Sequence, residues 1–420
     1  MAFASGILST PTATGNFSVS GLSFQPKYVR FFSTNQSDGA LGGDALMMEG
    51  ATDGTRQWAH AMRGQDNAAT TVCTVGRTDA VCISIPSLTA TPLFEAAVVS
   101  LDSDGFTLNA TVVDGASHSV AWYAEGGPDI LDVRVDTFDT GSGTGEVTVS
   151  TPGFKSTLVH LCLARRVDST IDAYSTAAHA SFGHGAFNDE GQQFSIAGLM
   201  QNAAAAEDAG HMGASDSCLV SLTDAAGALF LRLTYVAMTA SGFTLNRVLN
   251  AASVGVGYIA LRRASKTRIG KFTTLGTTGI QSITGLGLLG EQVWFSTVRA
   301  GDTSATPATA GAFLTIGYMS KAVQFVFGIG AVDAADPTTQ GAFLATSKCL
   351  RYIDGTPATL MEAGYSFLDL DRLAVDWTTS DGIATRVIFF IALGPPPSRY
   401  AFAPHPKPII GDLIARTGRA

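Results

Sequence analysis

Apolar and polar residues alternate in short runs along this chain, and the runs return three times in the same company. In Phe106-Thr107-Leu108-Asn109 and again in Phe243-Thr244-Leu245-Asn246, every second residue is apolar, which predicts a strand with one buried face. Each copy opens on Thr-Gly and an alternating run: Thr14-Gly15 to Leu22, Thr144-Gly145 to Val149, and Thr278-Gly279 to Leu286. Each closes on a paired run, around Asp104-Gly105-Phe106, Ser241-Gly242-Phe243 and Asp371-Arg372-Leu373. Gly105 and Gly242 read as turn residues able to take positive φ, a role that Arg372 cannot share. Helical periodicity is hard to find. The Ala-rich stretch from Leu199 to Asp208 lacks an apolar stripe and reads as a loop or a single turn.

The spacing of roughly 130 residues between copies exceeds that of a solenoid repeat and is enough for each copy to bury its own core. Short strands with regular turn signals predict three tandem antiparallel β-sandwich domains of jelly-roll or lectin-like type. The expected division is 1–127, 144–263 and 270–394, with 128–143 as a linker or edge strand and 264–269 as a short basic linker. Val133, Val135 and Phe138 alternate with polar residues inside the first linker, which favours the edge strand. The last strand of each copy carries a large aromatic, read as Trp122, Tyr258 and Phe389, and expected to anchor each core. Such a triplication also allows the three domains to sit about a pseudo-threefold axis. After Gly394, Pro395-Pro396-Pro397 ends the last strand and 395–420 is expected to be an extended arm. Its Pro404, Ile409, Ile410, Leu413, Ile414, Arg416 and Arg419 form an apolar-basic patch suited to docking on another subunit.

Charged residues make up only 15% of the chain, a weakly charged surface that suits a protein held in an assembly. A net charge of −9 and the lack of clustered Lys and Arg argue against nucleic-acid binding. The first residues lack a basic region followed by an apolar one, so synthesis in a host cytoplasm without a signal peptide is expected. The longest apolar runs, such as Val387 to Leu393, are too short for a membrane helix, and no membrane insertion is expected.

Candidate chemistry is sparse. Cys82, Cys218 and Cys349 recur in register without a histidine at a shared offset, the pattern of small core residues rather than nucleophiles. Disulfides are not expected in a cytoplasm. His179 and His184 lie near Asp189 and Glu190, but their spacing matches no structural zinc pattern. Asp102-Ser103-Asp104-Gly105 lacks the remaining acids of a calcium loop and reads as a turn. No cofactor, metal or catalytic set is therefore expected. Trp294 aligns with Arg30 and His160, a position polar in two copies and thus expected off the core face, which makes it the best exposed tryptophan for a ligand. Trp58, leaving the turn Asp53-Gly54-Thr55-Arg56-Gln57, is the second candidate, whereas Trp377 shares parity with Leu373 and Val375 and reads as core.

Val19 to Phe32, Asp53-Gly54-Thr55-Arg56-Gln57-Trp58, Asp104 to Asn109 and Trp122-Tyr123-Ala124 together resemble β-sandwich repeats of structural proteins from tailed bacteriophages and prophages. The likeness spans residues 10–394 and is strongest in the first copy. In the others the middle motif is replaced by Asn188 to Phe194 and by the segment near Phe313. The resemblance implies a non-enzymatic virion component, decorating the head or attached to the tail, whose partners are capsid or tail subunits and which can also self-associate. A host-surface glycan-binding adsorption protein is the alternative reading, and a polysaccharide depolymerase a more remote one.

Overall fold

The computed structural model describes residues 1–165, 173–176, 179–201, 203–206, 208–223, 228–299, 301–302, 311–355 and 358–396, and every regular element among them is a strand. A first set comprises β1 (Ala2–Ser9), β2 (Gly15–Val19), β3 (Pro26–Ser33), β4 (Leu41–Gly42), β5 (Ala45–Thr52), β6 (Gln57–Gly64), β7 (Cys73–Thr78), β8 (Ile83–Pro86), β9 (Pro92–Asp102), β10 (Gly105–Val112) and β11 (Ser119–Gly126). A second comprises β12 (Ile130–Asp139), β13 (Gly145–Val149), β14 (Leu158–Arg165), β15 (Ala173–Ser175), β16 (Ala180–Asn188), β17 (Gln193–Met200), β18 (Ala209–Ala214), β19 (Leu219–Leu222), β20 (Leu229–Thr239), β21 (Gly242–Asn250) and β22 (Gly255–Arg263). The third comprises β23 (Lys266–Thr273), β24 (Gly279–Leu289), β25 (Gln292–Val298), β26 (Ala312–Ser320), β27 (Gln324–Ala331), β28 (Gln340–Ala345), β29 (Leu350–Ile353), β30 (Thr359–Thr379) and β31 (Val387–Gly394).

Each set builds a large and a small antiparallel sheet in the same order. The large sheets run β1-β11-β3-β5-β6-β7, β12-β22-β14-β16-β17-β18 and β23-β31-β25-β26-β27-β28. The small ones run β2-β10-β9-β8, β13-β21-β20-β19 and β24-β30-β29, with β30 long enough to serve as two strands. The last four strands of every large sheet thus form a meander, while the chain returns at its end to place β11, β22 and β31 beside the first strand of the set. Residues 130–139 are the edge strand of the second large sheet, as their alternation suggested. The expected basic linker 264–269 instead runs into β23, the corresponding edge of the third.

Three apolar layers lie between the large and small sheets, one per set, built around Phe31 and Phe106, Phe187 and Phe243, and Phe295 and Trp377. The opposite faces of the large sheets do not meet water. They turn toward one another and bury a fourth, common core that draws on all three sets. This explains why the central strands are buried on both faces, while β2 and β13 at the periphery keep clean alternation. Contacts between sets close a ring. The segment after β14 supplies β15 to the edge of β7, and the segment after β3 supplies β4 to the edge of β28. Gly311, from the equivalent segment of the third set, donates its N–H to Ala209 at the start of β18.

Pairing registers define which residues correspond. Arg30, His160 and Trp294 stand opposite Tyr123, Ile259 and Ile391, so the three aligned by sequence are equivalent. The recurring aromatic is Trp122, Tyr258 and Phe390, not Phe389. A one-residue slip changes the face, and Phe389 points into the common core, stacked on Phe194 at 5.4 Å. Gly105 and Gly242 do not take positive φ. A Cβ there would lie 1.9 Å from the carbonyl oxygens of Val19 and Val149, so close strand approach is what requires glycine. In the third set Asp371, at φ 62°, makes the turn.

A glutamine at the start of β6, β17 and β27 bolts each large sheet to its small one. Gln57, Gln193 and Gln324 accept through Oε1 the N–H groups of Val98, Tyr235 and Tyr365 at 2.8, 2.8 and 2.7 Å. In the first two sets this strand is bulged, so the ladder offers that region irregular pairing. The middle motif of the third copy is therefore Gln324-Phe325, not the segment near Phe313. Replacing any of these glutamines by leucine should cost about 1 kcal/mol, because a half-buried amide loses its acceptor. Chemical denaturation of the three single variants reads this directly, with similar losses expected in each set.

Candidate functional site

The two tryptophans expected at the surface are buried. Trp294 does point away from the core of its own sheet pair, as its polar counterparts implied, but that second face is covered by the other large sheets. Trp294 is 3% exposed and lies under the Arg30 guanidinium at 4.3 Å, against Tyr123, Tyr318 and Phe325. Trp58 is fully buried over Gly257 and donates its indole N–H to the Tyr258 carbonyl at 3.1 Å. Neither offers a ring to a sugar. Trp377 is buried with Leu373 and Val375 as expected, donating to Gln281 Oε1 at 2.8 Å. The arm residues Pro404, Ile409, Ile410, Leu413, Ile414, Arg416 and Arg419 lie outside the described residues.

Polar groups inside the common core tie the sets together. Glu49 of the first set accepts from Arg30 Nη2 at 2.6 Å and meets His184 Nδ1 of the second at 2.8 Å. Burial alone would raise its pKa, but His184 and Arg30 hold the carboxyl well below the usual range. Glu125 of the first set accepts two hydrogen bonds from Arg263 of the second, one from Tyr28, and one from Gln292 Nε2 of the third. Its pKa is also lowered: burial pushes it up, but the Arg263 charge together with hydrogen bonds from Arg263, Tyr28 and Tyr123 outweighs that. His60 is pushed down to about 3 by burial and the nearby Arg77, and accepts at Nδ1 the Ala164 N–H at 3.0 Å. These are neutral or paired groups completing each other's hydrogen bonds, with no water-accessible nucleophile among them.

The recurring cysteines behave as core. Cys82, Cys218 and Cys349 lie just before β8, β19 and β29, and each offers its thiol to the carbonyl that already receives its N–H, on Ala96, Leu233 and Ala363. Burial raises all three thiol pKa values. His184 is engaged by Glu49 at 2.8 Å. Among the described residues no group of three His, Cys, Asp or Glu could hold a metal ion, and no helix is long and apolar enough to cross a membrane. Asp102 caps its own turn through Ser100 and Thr107 hydroxyls.

What remains accessible is a cleft at each junction, where the turn before β6, β17 or β27 meets the first strand of the next set. The turn 320–323 faces Ser5 and Gly6, the turn residues Asp189 and Glu190 face Lys266, and the turn 53–56 faces Asp132 to Arg134. The turn anchors the neighbouring edge strand in two of them: Asp53 Oδ2 accepts the Val135 N–H at 3.0 Å, and Gln192 Oε1 accepts the equivalent Ile269 N–H at 2.8 Å. The first-to-second cleft, of about 830 Å3, is the largest of the three. Sequence reasoning missed these clefts because each is assembled from two sets, and no contiguous motif marks it. The chain matches no family model and no curated protein sequence.

Proposed function

We propose that this chain is a non-enzymatic structural component of a tailed-phage or phage-like virion, folded as three tandem sandwiches and attached to capsid or tail subunits by its C-terminal arm. In this reading 2–126, 130–263 and 266–394 are the three domains, and together they act as a single-chain counterpart of a trimer. The observation that carries it is the identity of what recurs. The glutamine bolts, the core cysteines and the paired aromatics are all packing devices, and the ionisable groups of the common core engage one another across sets. A catalyst concentrates reactive groups in an accessible cavity, whereas here the polar network is sealed inside. A block with threefold-like repetition suits a site of similar symmetry in a larger assembly.

Deleting residues 395–420 tests the reading. The truncated chain should keep the thermal stability of the full one yet fail to enter particles, as read by immunoblotting of gradient-purified virions. Normal incorporation of the truncated chain would remove the arm from the account.

A further inference from the structure

The three junction clefts share a frame but not a chemistry, and the first-to-second cleft holds the most cations: four line it, against Arg263 and Lys266 in the second-to-third and Lys321 in the third-to-first. In the cleft between the first and second sets, Arg56 comes from the turn, Arg134 from β12, Lys155 from the segment before β14, and Arg262 from the end of β22. By pairing register, the positions of Arg56, Lys155 and Arg262 hold Gln192, Leu289 and Gly394 at the second-to-third junction. At the third-to-first junction they hold Val323, Gln25 and Gly126. The position of Arg134 is held by Arg268 in the third set and by Ala4 in the first, so Arg56, Lys155 and Arg262 are the cations that the shared frame does not call for.

The acids nearby do not use up the donors. Asp136 alone serves both Arg134 and Arg56, and Asp132 pairs with Arg262. Asp53 is engaged by the backbone N–H groups of Thr55, Arg56 and Val135. Lys155 is exposed, and its charge acts on Asp189 of the second set. Arg56 and Arg262 keep 41% and 46% of their side-chain surface exposed, leaving N–H groups for a ligand. Half-buried Phe154, packed on the second core, lines the same wall between Gly153 and Lys155.

We propose that this cleft binds a carboxylate-bearing saccharide. Guanidinium forks match carboxylates in two-point geometry, the Phe154 ring offers a surface to the C–H face of a sugar, and the Thr55 hydroxyl can meet a sugar hydroxyl. The lining is mainly polar and the cleft open, which disfavours an apolar ligand. The site stands independently of the virion reading, since it uses neither the arm nor an assembly.

The test is calorimetric titration of the full-length protein with oligogalacturonate, with a neutral malto-oligosaccharide of equal length and a poly-glutamate peptide as comparison arms. Oligogalacturonate should bind, weakening as salt rises, and the neutral sugar should not. Lys155→Glu and Arg56→Gln should each lower affinity by about tenfold or more, while the melting temperature stays unchanged because both side chains reach solvent. No heat with oligogalacturonate, equal binding of the neutral sugar, equal binding of the peptide, or affinity insensitive to both substitutions would each overturn the proposal.

Discussion

Replacing Arg263 with methionine is expected to destabilise the protein by about 3–5 kcal/mol, since it leaves a buried carboxylate without its countercharge. Arg263 donates Nη1 to Glu125 Oε2 at 2.9 Å and Nη2 to Glu125 Oε1 at 2.5 Å, with a further bond to Asp129 at 2.6 Å. Both side chains of the Arg263–Glu125 pair have no exposed surface. Methionine keeps the apolar stem but strands Glu125 among Tyr28 and Gln292. Urea denaturation measures the loss, and Glu125→Gln added to the variant should recover part of it. The pH dependence should also invert. In the native protein the Glu125 pKa is lowered, so its contribution is present above the unfolded pKa and is lost as pH falls through the folded one. Without Arg263, burial raises that pKa, and the variant should lose stability as pH rises instead.

A second large effect is expected from one methyl group. Gly50, Gly185 and Gly317 sit at equivalent places in β5, β16 and β26, facing the recurring cysteines of the small sheets. An alanine Cβ would lie 2.0, 2.1 and 1.9 Å from the carbonyl oxygens of Cys82, Cys218 and Cys349. Those are backbone atoms that cannot rotate away, so each alanine must push two sheets apart, at a cost of about 3 kcal/mol or more. Thermal denaturation of the three alanine variants should show comparable losses. A neutral result at any of them would mean that the inter-sheet spacing is not fixed by this contact.

These glycines illustrate what could and could not be read along the chain. The triplication was legible because buried positions repeat with their spacing: Cys82, Cys218 and Cys349 do occupy the same place in three sheet pairs. Strands of the small sheets were legible because one face meets solvent and alternation survives. The large sheets hid their arrangement, since burial on both faces removes the period-two signal. Phe389 and Phe390 are both buried there, so the run itself does not mark which one faces which core, and the polar counterparts of Trp294 imply solvent where there is a second core. Arg30 pairs with Glu49, which reaches His184 of the second set, and His160 is buried close to that group, surroundings that local sequence does not display. The cleft residues Arg56, Lys155 and Arg262 carried no signal, being separated along the chain and brought together only at a junction.

The claim on which the rest depends is that the three sets share one common core and stand or fall together. Differential scanning calorimetry of the full-length protein tests it most directly. One transition is predicted, with calorimetric and van't Hoff enthalpies in agreement, and with Arg263→Met lowering the whole transition rather than part of it. Separate transitions, one of them shifted by a substitution in its own set while the others stay in place, would contradict it.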